Sequence, residues 1–256
     1  MTGRPPVIDL NADLGEGFGA WRLGDDEALL AIVTSANVAC GFHAGDPLIL
    51  RRCCTAAVAR GVAIGAQVSY RDLAGFGRRE MDVPPDELTA EVLYQIAALD
   101  GIARAEGGRV RYVKPHGALY NRMARDPVQA GAVAAAVAAY DRDLPLLTLP
   151  GSAAAQAATD AGLRAVAEAF ADRAYTAGGT LVSRREQGAV LSDAAEVTAR
   201  AVAMATRGRV TAADGQEVAV QPESICLHGD TPGAVELARS VRDGLAEAGV
   251  RLAPFS

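Results

Sequence analysis

A chain of 256 residues, half of them hydrophobic, can bury a substantial core, and its composition excludes a disordered or collagen-like protein. A net charge of -6 argues against a nucleic-acid partner, which asks for a basic face. No apolar run reaches the roughly 18 residues of a bilayer-crossing helix, and MTGRPPVIDLNADLG passes into a polar motif without a signal-peptide apolar region, so the cytoplasm is the expected compartment.

Val7 to Leu10 is a short apolar run read as the first strand, leading into Asn11-Ala-Asp13-Leu-Gly-Glu16-Gly. A helix is expected from about Asp25 and a second strand over 36–40. Helix 47–60 has Asp46 as its cap, Pro47 in its first turn and Gly61 at its end. The third strand is read over 62–66, followed by a long polar loop to Val83 and a helix over about 85–105. The fourth, fifth and sixth strands fall at 110–114, 146–149 and 163–167. A small hairpin is expected over 209–220 around Asp214-Gly215, a last strand over 224–228 and a final helix over about 232–248. Seven strands separated by helical patterns predict βαβ units and a parallel sheet in one domain spanning 1–256. Periodicity alone leaves open whether that sheet closes into a barrel. No GxGxxG follows the first strand and no GxxxxGK[ST] occurs, so neither standard nucleotide loop is encoded.

Polar, glycine-flanked clusters follow the apolar runs: Asn11 to Gly17, Cys40 to Pro47, Gly65 to Asp72, Lys114 to Asn121, Glu168 to Arg173 and Leu227 to Thr231. Loops after the strands of a parallel sheet share one face, where ligands bind, so these clusters should converge. All three histidines, His43, His116 and His228, lie in them. So does Lys114, the one lysine beside 24 arginines, at a place where a compact ammonium would be needed. Asp13 and Glu16 also read as turn residues, and Asp46 and Asp230 as helix caps. Asp9 alternates with apolar residues and could point into a barrel interior, with Lys114 a candidate partner. His43 and Asp46 with Asp13 and a second histidine would suit an open three-ligand metal site, but the spacing is not diagnostic and Lys114 would compete with a cation. The four cysteines show no zinc spacing and read as packing thiols. Phe18, Trp21 and Phe76 read as loop packing. The run 78–80 reads as a solvated loop with an arginine able to hold a carboxylate or phosphate.

Together, IDLNADLGEGFG, ANVACGFHAGDP, GAQVSY, VKPHGALYN, EAFADRAY, GTLVSR and ICLHGDTPGAV resemble the LamB/YcsF family, in that order, from Ile8 to about Val235. The resemblance implies a seven-stranded parallel β/α barrel akin to carbohydrate deacetylases. It implies the role of the A subunit in an ATP-dependent 5-oxoprolinase, giving L-glutamate, ADP and phosphate from 5-oxo-L-proline, ATP and water with partner subunits B and C. A lactam is a poor electrophile, so phosphorylating its carbonyl oxygen would assist hydrolysis. Without a nucleotide loop here, the partners are expected to handle ATP. Lys114 and glycine-turn amides would stabilise developing negative charge. His43 or His116 would move a proton, oriented by Asp13 or Asp46. Glu16, Glu168 or Asp172 would bind or activate water, and Arg173 would anchor the substrate carboxylate. Asn11, Gln67, Tyr70, His228 and Asp230 complete the expected substrate contacts. Gln67 stands where the family usually has histidine, Val68 and Arg71 replace its prolines, and Gly178 and Ser183 replace an aspartate and a proline. Gln67 can hydrogen-bond a carbonyl but cannot titrate. Two other readings remain: a metal-dependent deacetylase or amidohydrolase on a sugar or small amide, and a non-catalytic lactam-binding subunit.

Overall fold

Alternation of inward and outward side chains decides the architecture. On β1 (Val7–Leu14) the even positions Ile8, Leu10, Ala12 and Leu14 join the main hydrophobic core, while Asp9, Asn11 and Asp13 face the other way, into a barrel. The computed structural model describes residues 5–229 and 233–256. Its remaining sheet strands are β2 (Ser35–Ala39), β3 (Ala63–Val68), β4 (Val110–Pro115), β5 (Leu146–Thr148), β6 (Ala165–Phe170) and β9 (Ser224–Leu227). They pair in parallel, in chain order, and β9 returns to β1, closing a seven-stranded barrel. A short β10 (Arg251–Leu252) pairs with the start of β1 outside that ring. The expected hairpin is present as β7 (Arg209–Thr211) and β8 (Glu217–Ala219).

The helices cover the outside. They are α1 (Asp26–Leu30), α2 (Pro47–Arg60), α3 (Pro85–Ala105), α4 (Gly117–Met123), α5 (Pro127–Tyr140), α6 (Ala153–Asp160), α7 (Ala194–Arg207) and α8 (Ala234–Glu247). Asp25 and Asp46 cap α1 and α2, and Gly61 ends α2 in the left-handed conformation. Helices α4 to α7 have no counterpart among the sequence expectations. The α5 segment is alanine-rich and packs against α3, α4 and α6, so it is apolar around most of its circumference and shows no clear stripe. No helix among the described residues is long and apolar enough to cross a membrane.

Several strands run further than expected, and this matters for the site. The first strand continues through Asp13 to Leu14, β3 takes in Gln67 and β6 takes in Glu168. Residues that look like post-strand loop are therefore the upper inward layer of the barrel. The lower end is plugged by Tyr112, Leu147 and Val166 with Phe255 packed beneath. Gly65 makes room for that plug: a Cβ there would lie 2.1 Å from Tyr112 Cε2.

Candidate active site

Lys114 stands at the centre of the barrel, 3 % exposed. Its ammonium lies 2.7 Å from Glu168 Oε1, 2.9 Å from Cys226 Sγ, 3.2 Å from Asn11 Oδ1 and 3.3 Å from Asp13 Oδ1. Burial alone would lower its pKa, but Asp13, Cys226 and Glu168 hold it well above the usual lysine value. Its three protons are thus all matched by acceptors of the scaffold. Asn11 and Asn37 lock the acceptors in place. Asn11 Nδ2 donates to Glu168 and Ser224, and Asn37 Nδ2 donates to Asn11 and Asp13, while Tyr112 donates to Asn37 Oδ1. Burial works against ionisation of Asp13, yet Lys114 and then His116 keep its carboxyl well below the usual range. Asn11 therefore positions Lys114 and Glu168 from within the barrel. Cys226 is more than packing, because its sulfur accepts from the lysine; burial keeps it a thiol, with its pKa raised.

Asp9 does point into the barrel, but Lys114 is not its partner. Thr34, Ser35 and Ser224 donate to it instead. Burial pushes its pKa up to about 6 against those donors.

The histidines divide into three situations. His116 accepts from Gln67 Nε2 at Nδ1, 3.0 Å away, and its Nε2 meets the Phe76 carbonyl at 3.1 Å. A carbonyl needs a donor, so the neutral ring carries its proton on Nε2 and both nitrogens are engaged. His43 stacks on His116 at 4.0 Å and is wholly enclosed. Neither of its ring nitrogens has a hydrogen-bonding partner, although Nε2 lies 3.7 Å from Glu16 Oε1. Burial and then the neighbouring His116 hold its pKa well below the ordinary value. Gly77, with φ of +66°, lets the loop lie against this pair; a Cβ would come within 2.9 Å of both histidines. His228 donates from Nδ1 to Asp172 Oδ2 at 2.7 Å, and its backbone amide donates to the same oxygen at 3.1 Å. That leaves Nε2 as the acceptor. Burial opposes the charge on Asp172, but His228 and its two hydrogen bonds hold the carboxyl below its usual value.

A cavity of about 630 Å³ opens over the barrel top. Asp13, Lys114, His116, Tyr120, Phe170, Arg173 and His228 are among its walls, with Arg78, Arg125, Arg184 and Arg185 further out. Arg173 is 3 % exposed and anchored by the carbonyls of Ala189 and Val182. Burial, then Arg184, bring its pKa down to about 10. An anion bound among these cations relieves that repulsion.

Not every expected residue joins the site. Tyr70 lies in the main core, its hydroxyl donating to Gln129 Oε1 at 2.8 Å, so it does not reach the cavity. Asp46 accepts from the amides of Gly19, Leu48 and Ile49, the capping role. Asp230 lies outside the described residues. Arg79 binds Asp72, whereas Arg78 of the same run lines the cavity. Phe18 and Trp21 pack on one another, with Trp21 exposed. Phe76 packs edge-on to both His43 and His116. Tyr120, to which the sequence motifs assign no role, lines the cavity.

Glu16, His43 and His116 are the group, among the described residues, whose ligand atoms lie close enough to hold a cation, within 4.8 Å of one another. The fit is poor. Gln67 Nε2 already takes the His116 Nδ1 lone pair and lies 3.3 Å from Glu16 Oε1, and an N–H donor opposes a cation. Asp46 is absent from this group, so the ligand set suggested by the His43-x-x-Asp46 spacing is not assembled.

Known proteins bear on this geometry. The sequence profile of the LamB/YcsF family matches residues 8–256. A protein of Mycobacterium marinum, named as the A subunit of 5-oxoprolinase, is 63 % identical over 250 residues, covering 98 % of this chain and 99 % of that protein. The crystal structure of the lactam utilization protein from Thermus thermophilus superposes with a TM-score of 0.93 at 48 % identity, covering 97 % of this chain and 99 % of that one. A family 4 carbohydrate esterase from Streptomyces lividans has a TM-score of 0.52 at 12 % identity, over 98 % of this chain and 93 % of that one, a likeness of fold alone.

Proposed function

The chain belongs to the LamB/YcsF family, and from that premise we propose that it is the A subunit of a 5-oxoprolinase, a hydrolase that opens the cyclic amide of 5-oxo-L-proline. The observation that carries this reading is the 63 % identity, over nearly the whole of both chains, to a protein of that name. The chain works with partner subunits B and C in the cytoplasm. ATP is a co-substrate of the assembly, handled by the partners, since this chain has no standard phosphate loop.

The site supplies the parts such a reaction needs. Phosphorylation of the lactam oxygen by ATP makes the ring carbon electrophilic. Water adds to that carbon, the ring C–N bond breaks with a proton delivered to nitrogen, and phosphate departs, leaving glutamate. His228 Nε2 takes the proton of the attacking water, with Asp172 fixing the tautomer and stabilising the imidazolium that forms. Three observations favour His228 for this role over the other two histidines. His116 has both nitrogens engaged, His43 is enclosed, and His228 lines the cavity with one nitrogen open. The fixed charge of Lys114 acts from the cavity wall, and Arg173 with its cationic neighbours holds the substrate carboxylate. Glu16 and Gln67 brace the histidine pair.

Glutamate release from 5-oxoproline, followed with and without ATP and with and without the two partner subunits, tests the proposal. Release should require all of them. Release by the lone chain without ATP would overturn it.

A further inference from the structure

The cavity is larger than a lone lactam requires, and its surplus is cationic. At about 630 Å³ it falls in the range of about 300–1,000 Å³ that takes drug-sized ligands, whereas 5-oxoproline is one small ring with one carboxylate. Some of the cations in its wall are already balanced, Lys114 by Asp13 and Glu168 and Arg125 by Glu80 at 2.7 Å. Arg184 and Arg185 are not. Among the described residues no carboxylate comes within ion-pair distance of either, and neither guanidinium donates a hydrogen bond to the protein. Both belong to the loop after β6, and Arg173 ties that loop down. Its Nε donates to the Ala189 carbonyl at 3.1 Å and its Nη2 to that of Val182, two residues before Arg184, at 2.6 Å. The two unspent cations are therefore carried on anchored backbone at the cavity wall.

Charge says what such a wall should meet. Burial and then Arg184 bring the Arg173 pKa down to about 10, so an anion set among these guanidinium groups is favoured. Asp172 lies within reach of the Arg184 charge, but its hydrogen bonds come from His228, whose Nδ1 is 2.7 Å away. That acid and a single substrate carboxylate do not balance Arg173, Arg184 and Arg185, to which Arg78 adds from the loop after β3. A phosphoryl group carries a charge of about -1.5 to -2 at pH 7 and three acceptor oxygens. Arginine meets such oxygens with paired N–H donors. A lactam activated as described above bears that group on its former carbonyl oxygen, in addition to its carboxylate.

We propose that the outer half of the cavity is a phosphoryl-binding subsite, in which Arg184 and Arg185 hold the phosphate of a lactam already phosphorylated on its carbonyl oxygen while Arg173 holds its carboxylate. This assignment rests on the 5-oxoprolinase reading above and narrows it. The ligand of this chain is the phosphorylated lactam, and phosphoryl transfer from ATP precedes its arrival. Holding the phosphate here keeps the activated ring in place while water reaches its carbon. A phosphorylated lactam that escapes is lost, because water cleaves its P–O bond and returns 5-oxoproline and inorganic phosphate.

Inorganic phosphate and ATP, titrated separately by calorimetry into the full chain and into its Arg184→Gln/Arg185→Gln double variant, test the subsite. Phosphate should bind the wild type, and the double substitution should weaken it by at least about tenfold, the worth of a hydrogen bond to a charged group. Equal phosphate affinity in the two proteins, or no phosphate binding by the wild type, overturns the proposal. So does ATP held more tightly than phosphate through the same two arginines, which would mark a nucleotide site. In the complex reconstituted with both partner subunits, the wild type should hydrolyse ATP and release glutamate in equal amounts. The double variant should hydrolyse several times more ATP than it releases glutamate; an unchanged ratio sinks the subsite while leaving the functional reading intact. If the wild-type complex releases no glutamate with ATP, the functional reading fails instead, and phosphate binding to the chain still reports on the arginines.

Discussion

Lys114→Met removes the central cation and leaves its stem volume nearly filled. In the folded chain the ammonium faces Glu168 at 2.7 Å and Asp13 at 3.3 Å, with all three side chains buried. Without it, two carboxylates share a dry pocket, and one must take up a proton or remain an uncompensated charge. Protonating a glutamate of ordinary pKa, about 4.3, at pH 7 costs about 3.7 kcal/mol at 1.36 kcal/mol per unit. That figure lies within the range of about 3–5 kcal/mol for removing one partner of a buried pair. At about 2–4 °C per kcal/mol for a chain of this size, the unfolding midpoint should fall by about 8–15 °C near neutral pH.

The pH dependence gives the sharper check. In the variant the protonated carboxyl has a folded pKa above its unfolded one, so its contribution is fully present below the unfolded pKa and is lost as pH rises. In the wild type Asp13 behaves oppositely: burial notwithstanding, Lys114 keeps its pKa low, and the stability it contributes is lost as pH falls. The gap between the two proteins should therefore narrow by about 1.4 kcal/mol per unit between pH 8 and pH 5. Urea unfolding followed by circular dichroism across that range measures it. A gap independent of pH refutes the reasoning, as does a variant as stable as wild type at pH 8. Turnover should be lost even at low temperature, where the variant is folded, and normal glutamate release there would remove Lys114 from the mechanism.

Asp9→Asn should change the pH profile in a defined direction. The folded pKa of about 6 means that stability from this group is present below about pH 4 and lost as pH rises through 6. Wild type should accordingly lose up to about 3 kcal/mol relative to the variant between pH 4 and pH 8, and parallel unfolding profiles would contradict the assignment. Gly65→Ala drives a Cβ into the Tyr112 ring and should destabilise by about 1–3 kcal/mol, read from denaturant midpoints. The same change in a Tyr112→Leu background should be far milder; equal losses in both backgrounds would mean the clash is not the cause.

The fold was legible because each apolar run, helix cap and punctuating glycine acts locally. Asp46-Pro47 and Gly61 bound α2 where the sequence placed them. What local pattern could not mark was the end of each strand. In most sheets a polar residue after an apolar run signals a turn, but a closed barrel has an interior that here is polar in its upper half. Asn11, Asp13, Gln67 and Glu168 therefore looked like loop residues while sitting on strands, each on alternate positions facing inward. The same cause hid the partners of Asp9. Thr34, Ser35 and Ser224 are small hydroxyl residues with no motif of their own, and only the register of β1 against β2 and β9 brings them to that carboxylate. Tyr70 erred the other way: it adjoins a polar cluster in sequence, but its position one residue past Ser69 turns it outward beneath α5, against Gln129. The Asp172–His228 pair joins two clusters 56 residues apart, a distance that no spacing rule spans.

Net charge conceals the local field at the cavity. The chain carries -6 overall, yet among the described residues six cationic side chains stand in the cavity wall against Asp13 and Glu80. Those two acids are already matched, Asp13 by Lys114 and Glu80 by Arg125 at 2.7 Å. The wall that a ligand meets is thus positive, and a concave low-dielectric wall focuses such a field. The elements behind it are of two kinds. Lys114, Asp13 and Glu168 come from strands locked by cross-barrel hydrogen bonds, whereas Arg78, Arg184 and Arg185 come from the loops after β3 and β6. On the proposed reading, the loops draw in and orient the acid group of the substrate, and the strands keep a rigid, charge-balanced floor beneath its ring. Exchanges in the loop after β6, where Gly178 and Ser183 depart from the family pattern, should then alter the affinity for the acid more than the rate of ring opening.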